Sequence, residues 1–169
     1  QKNAPTTSSP IDWNNNEDRK PVLENEMPLR VVINADDFGL HPAVNEGIEI
    51  AGRDGVLTST SIMACGEAFE DASERVQKGL PIDVGVHLTV VEELPLSSPE
   101  KISSLVGKNG RFLSSYRSIA LRWFAGRIDM NQLQREFETQ INRVIDKGIK
   151  PSHLDSHQHV HALPGFWNL

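Results

Sequence analysis

A chain of 169 residues, 38% hydrophobic and 24% charged, is long enough for one globular core and ordinary enough in composition to build it. Seventeen Lys and Arg stand against 23 Asp and Glu, a net charge of −6, and no basic run marks a nucleic-acid surface. No apolar stretch reaches the ~20 residues of a membrane helix, and one cysteine, Cys65, excludes a fold held by internal disulfides.

Residues 1–28 hold Thr6-Thr7-Ser8-Ser9-Pro10 and Asn14-Asn15-Asn16, few apolar residues and no period. Such a segment buries too little to offset its ordering entropy, and it is expected to be a flexible leader. The first residue is Gln1, which leaves two expectations of compartment: cytoplasmic, or exported if a signal peptide was removed before it.

The β-branched run Leu29–Asn34 predicts a buried parallel strand. Pro42 at a first helical turn, Val44, Ile48 and Ala51 at helical spacing, and Gly55 just past the end predict a helix. A second strand is expected over 56–64 and a helix over 67–78, stopped by Gly79 and Pro81. A third strand is expected over 82–88. This βαβαβ order implies a parallel α/β sheet with helices outside. Asn109-Gly110 suggests a hairpin turn, and Tyr116–Ala125 a short helix. The strongest helical pattern is Met130–Lys147, with an apolar stripe of Leu133, Phe137, Ile141, Val144 and Ile145. Asp129 caps it, Gln132 occupies the capping-box position and Gly148 closes it. A fourth strand should begin near Pro151.

Three polar features fall at predicted strand ends, where parallel α/β folds build their sites. Asp36-Asp37 follows the first strand; alone, such a pair is most often a turn or cap. His87 lies near the end of the third, where a lone histidine is usually a satisfied core residue. The informative feature is His153-Leu154-Asp155-Ser156-His157-Gln158-His159-Val160-His161, four of the chain's six histidines within nine residues. If that segment stays extended, residues 153, 155, 157, 159 and 161 project to one side. Imidazoles with a carboxylate suit Zn²⁺ and other transition metals. One or two Asp, a distant His and a His cluster can thus supply a three-ligand metal centre with a separate base, the machinery of metal-assisted hydrolysis. Cys65 has no neighbouring base in the sequence and reads as a small buried residue.

Asn34-Ala35-Asp36-Asp37-Phe38-Gly39-Leu40, Thr58-Ser59-Thr60-Ser61, Gly85-Val86-His87-Leu88 and the 153–161 cluster together resemble the YdjC/ChbG-like carbohydrate deacetylases, which include chitooligosaccharide deacetylases and the hopanoid-associated HpnK branch. The resemblance implies a (β/α) TIM-barrel-like fold and removal of an N-acetyl group from a sugar with one divalent metal ion, Mg²⁺ by family, with Zn²⁺ also suited to such ligands. It places Asp37, His87 and His157 on the metal and Asp36 as the base; a histidine of the late cluster, His159 or His153, is then expected to protonate the leaving amine. The expected partner is a small acetylated sugar; no nucleic acid and no membrane span are expected, and a homo-oligomer is allowed. Rival readings are a metal-dependent hydrolase of another amide or ester, or a non-catalytic metal- or carbohydrate-binding module. A full barrel needs about 250 residues, so residues 29–169 are expected to be the N-terminal portion of one barrel domain. Its cut sheet is expected to expose an apolar edge and inner face, and the chain alone to aggregate or fold poorly.

Overall fold

The computed structural model describes residues 30–166, and the predicted leader lies outside the described residues. In chain order the elements are β1 (Asn34–Phe38), α1 (Pro42–Arg53), β2 (Ser59–Ile62), α2 (Phe69–Gln77), β3 (Asp83–Leu88), α3 (Tyr116–Phe124), α4 (Met130–Asp146) and β4 (Leu154–Ser156). All strand pairs are parallel and the sheet order is β1-β2-β3-β4. Each strand is thus added on the same side of the last. That is the winding of a (β/α) barrel, unlike a doubly wound sheet, whose order reverses at a switch point. Among the described residues no helix is long and apolar enough to cross a membrane.

The helices form where periodicity and caps predict them. Pro42 opens α1 and the His41 ring accepts the Ala43 N–H. Asp129 caps α4 by accepting from Asn131 N at 2.9 Å, and Gly148 follows its end at φ 78°, a left-handed conformation that glycine adopts without strain. Two details of α4 differ from expectation. Gln132 does not close a capping box: its Oε1 accepts from Ser104 N, while the Asp129 N–H goes to Ser104 Oγ. Ser104 thus takes both partners of the bond that Gln132 would have made to Asp129 N, tying the helix start to the preceding loop. Ile145 falls outside the buried stripe, 49% exposed.

The first strand is displaced. The predicted span 29–34 and the observed β1 share only Asn34, and Val32 remains 74% exposed. Pairing with β2, Asn34 beside Ser59 and Ala35 beside Thr60, selects the polar-alternating segment over the apolar run. Asp36 and Asp37 therefore lie inside β1, not after it. The 109–110 turn does close, through Gly107 N–H to Arg111 C=O at 2.8 Å.

The sheet has two unlike faces. Phe38, Ile62, Val84, Val86 and Leu88 pack in one core cluster with Ile48, Phe69, Ala72 and Val144 of the helices. The opposite face carries Asn34, Asp36, Ser59, Ser61, Gly85, His87 and Asp155, the alternate residues of the same strands. The expected apolar inner face is therefore polar. The alternation that places Val and Ile under the helices places hydroxyls, amides and carboxylates on the side left open. A cavity of about 330 Å³ on that side is lined by Asn34, Ser59, Asp83, Ser152, His153 and Asp155, with Val32.

Helix α4 contributes more than an apolar stripe. Glu136 and Gln140 are fully buried on it. The Glu136 carboxylate accepts from Leu96 N (3.1 Å), Ser97 N (2.9 Å) and Gln140 Nε2 (2.9 Å), and Gln140 exchanges two hydrogen bonds with the Thr89 backbone. These contacts clamp both ends of the loop that follows β3. Removing the acceptor strands several buried donors, so Glu136→Ala should cost about 2–4 kcal/mol of stability. Chemical denaturation compared with an exposed Glu138→Ala control measures it; equal midpoints for the two variants would refute the clamp.

Candidate metal centre

Three elements converge at the C-terminal end of the sheet. Between Ala35 and Phe38 the β1–β2 register shifts, and Asp37 sits at this irregularity with φ 63°, a left-handed conformation that Asp tolerates better than most residues. The shift turns the Asp37 carboxylate toward the strand ends. His87 points up from β3 and is 2% exposed. From β4 the chain stays extended only to Ser156, after which Gln158 (φ 50°) and His159 (φ 54°) break a tight 3₁₀ turn over His157–Ala162. The five residues 153, 155, 157, 159 and 161 therefore do not share one side, as an extended segment would require. The turn instead swings His157 over the sheet, and Gln158 Oε1 anchors it by accepting from Tyr116 N at 2.7 Å.

Asp37, His87 and His157 form one group. Asp37 Oδ1 lies 2.9 Å from His157 Nδ1 and 3.2 Å from His87 Nε2, and the two rings meet edge to face at 5.5 Å. Ligand bonds of about 2.0–2.2 Å at tetrahedral to octahedral angles place donor atoms about 2.8–3.6 Å apart. These separations fit a single shared ion. Asp36 enters from below: its carboxylate, His87 and Asp155 offer ligand atoms all within 4.8 Å of one another. The two groups share His87, which puts Asp36 beside the trio without belonging to it.

Without an ion the trio is a charge cluster. Burial opposes a charged His87 ring, but Asp155 and Asp37 on its two nitrogens outweigh that and hold its pKa up at about 9, against an ordinary 6.5. The His157 and His87 rings hold the Asp37 carboxyl well below the usual range, and Asp37 in turn raises His157. A group whose folded pKa is raised stabilises fully below its unfolded pKa and loses that contribution as pH climbs through the folded value. The thermal midpoint of chelator-treated protein should therefore fall between about pH 6.5 and 9. His87→Gln lacks the His87 proton and keeps only that of His157, and an equally steep fall in that variant would show that the His87 pairs are not responsible.

The polar face below forms a continuous network. Ser59 Oγ donates to Asn34 Oδ1 (2.6 Å), and Asn34 Nδ2 donates to Asp36 Oδ1 and to Ser61 Oγ, both at 2.8 Å. Ser61 Oγ donates to Asp155 Oδ2 at 2.6 Å, and Asp155 Oδ1 lies 2.8 Å from His87 Nδ1. His153 stands 3.2 Å through Nε2 from Ser61 Oγ, and since that hydroxyl gives its hydrogen to Asp155, the ring must donate. A Cβ on Gly85 would land on the His153 ring, so only glycine at that strand position lets the imidazole lie across the sheet. His159 is exposed, its ring 5.8 Å from that of His161. Of the sequence candidates, then, Asp37, His87 and His157 come together with Asp36 at their side. His153 sits lower in the network and His159 lies out on the turn.

Asp155, the carboxylate expected to complete a metal site with the clustered imidazoles, instead backs His87 from outside the trio. One residue of the site was not singled out from sequence. Glu92, in the loop after β3, lies 3.2 Å through Oε2 from His157 Nε2, a contact across 65 residues that no local pattern marks. Cys65 is buried, which pushes its thiol up to about 12 and leaves it unreactive.

Known proteins resemble this chain in sequence and in fold. Carbohydrate deacetylase 1 of Listeria innocua is 35% identical over 135 residues, covering 80% of this chain and 54% of that protein. A carbohydrate deacetylase of Oceanobacillus iheyensis is 38% identical over 136 residues, covering 79% and 56%. The chain thus spans about half the length of the curated relatives it matches. A crystal structure from Enterococcus faecalis V583, of a protein assigned to cellobiose-phosphate cleavage, superposes with a TM-score of 0.71 at 35% identity, over 80% of this chain and 51% of that one. The family model described as YdjC-like protein matches residues 30–169, and the chain belongs to that family.

Proposed function

We propose that this chain carries the metal ligands and the base of a metal-dependent hydrolase that removes an N-acetyl group from an amino sugar or oligosaccharide, releasing acetate. The supporting observation is the convergence of Asp37, His87 and His157 at donor spacings of one ion, with a separate carboxylate, Asp36, beside them. Relatives named carbohydrate deacetylases support the substrate class. In this reading residues 29–169 are the N-terminal portion of one barrel domain.

A divalent ion held by the trio supplies Lewis-acid polarisation of the acetyl carbonyl and makes nearby water more acidic. One carboxylate and two imidazoles suit Zn²⁺, and Mg²⁺ is the choice by family resemblance. The chain's own residues do the rest. Asp36, fixed by the Asn34 amide, accepts a proton from the attacking water. The new bond joins that oxygen to the acetyl carbon. The C–N bond then breaks, and His159 or His153 delivers a proton to the departing amine. The products are acetate and a free amino group on the sugar. Incubating the full-length protein that carries this chain, with metal restored after chelation, with N-acetylglucosamine and chitooligosaccharides should release acetate, and chelation should stop it. Sugar binding with no acetate from any member of the panel would overturn catalysis in favour of a binding module.

A further inference from the structure

Each imidazole of the trio has a second nitrogen turned away from Asp37, and each of those nitrogens meets a carboxylate. His87 Nδ1 lies 2.8 Å from Asp155 Oδ1, and His157 Nε2 lies 3.2 Å from Glu92 Oε2. Ionised carboxylates only accept hydrogen bonds, so these ring nitrogens carry the hydrogens. That leaves Nε2 of His87 and Nδ1 of His157, the nitrogens facing Asp37, to offer lone pairs to an ion. Glu92 stands across the ring from Asp37, on the wrong side of His157 to be a ligand itself.

Glu92 is also held more firmly than a chance surface partner. Its backbone is left-handed, φ 67°, which is uncommon for a long side chain and persists only where the surroundings impose it. They do so through the neighbouring segment 111–113, which holds the backbone of Glu92 and Glu93. Glu92 N donates to Leu113 O at 2.8 Å, Arg111 Nη2 donates to the Glu92 carbonyl at 3.0 Å, and Phe112 N donates to Glu93 O at 3.2 Å. The loop's two ends are the segments clamped on α4 by Gln140 and Glu136. An ordinary surface His–Glu pair would touch neither ring tautomer nor ligand affinity, but the His157 side chain is only 14% exposed.

We propose that Glu92 is the positioning residue of His157, the counterpart of Asp155 on His87: its carboxylate fixes the imidazole with hydrogen on Nε2 so that Nδ1 serves as ligand. Carboxylate–imidazole–metal arrangements of this kind raise ligand basicity and lock ring orientation. The inference rests on the metal-binding reading above and extends it to a residue contributed by a loop.

The test is Zn²⁺ titration by calorimetry of the full chain, Glu92→Gln, Glu92→Ala and Asp37→Ala, with ¹⁵N spectra of the zinc-loaded histidine rings. Glu92→Ala should weaken zinc binding by about ten- to a hundredfold and shift the His157 Nε2 signal, with circular dichroism unchanged. Glu92→Gln, whose amide oxygen still accepts, should recover part of the loss and would decide the matter alone if the alanine variant did not fold. If the parent binds zinc, Asp37→Ala does not, and both Glu92 variants match the parent, the role of Glu92 is overturned while the metal site stands. If the parent and Asp37→Ala behave alike, the metal site itself fails and the Glu92 role falls with it.

Discussion

Replacing Asp36 with Asn should lower acetate release by about 10²–10⁴-fold, the usual contribution of a positioned base, while zinc affinity stays within about threefold of the parent. The split between the two readouts follows from the geometry. Asp36 shares His87 as a neighbour with the second carboxylate group but is absent from the trio whose donor atoms surround Asp37 Oδ1. Its carboxylate already accepts from Asn34 Nδ2, and an amide of the same shape can keep that contact through its own oxygen. What the amide loses is the capacity to take a proton. Steady-state turnover on an acetylated chitooligosaccharide, set beside a calorimetric titration, separates the two effects. Unchanged turnover would remove Asp36 from the role of base, and lost affinity would move it onto the metal.

Asp37→Ala should have the opposite signature, with zinc affinity falling by more than about a hundredfold. Losing a residue that only supports a ligand costs 10–100-fold, and losing a ligand costs more. Asp37 is moreover the hub of the trio, the single oxygen that both imidazoles approach. With that carboxylate gone, two rings that pair with it as cations face each other at 5.5 Å with nothing between them. The metal-free protein should therefore lose stability as well, most visibly at low pH, where the rings are charged and the parent keeps the Asp37 carboxylate between them. Calorimetry and thermal unfolding measure the two losses, and retention of zinc affinity would show that the ligand set has been misassigned.

Most of the helical framework could be read from the sequence because its signals are local. Pro42, Asp129 and Gly148 mark ends by backbone chemistry that needs no partner, and the stripe of α4 follows from a 3.6-residue period. The strands were harder. Leu29–Ile33 has more β propensity than Asn34–Phe38, but a strand is defined by what it pairs with, and Ser59 and Thr60 select the polar segment. The histidine cluster was legible as chemistry and not as shape. Two left-handed residues, Gln158 and His159, turn a predicted row into a hook, and neither is a glycine that would have announced it. Glu92, Glu136 and Gln140 were illegible for a different reason: their long-range partners lie 39 to 65 residues away, and a buried carboxylate looks in sequence like any surface one.

The two-faced sheet also restricts how this chain can fold. Side chains alternate strictly along a strand, so sliding any one strand by a single residue would exchange its faces. A slip of β2 would press Ser59 and Ser61 against the helices and turn Ile62 to the polar side, and a slip of β3 would do the same with His87 and Val86. Each polar group buried without its partner would cost about 1–3 kcal/mol. A slipped sheet would thus forfeit the network and the core at once, a penalty comparable to the whole stability of a domain. The residues that prepare the site for a ligand therefore also act as a checksum on strand alignment, rejecting misregistered intermediates before any ion or sugar arrives.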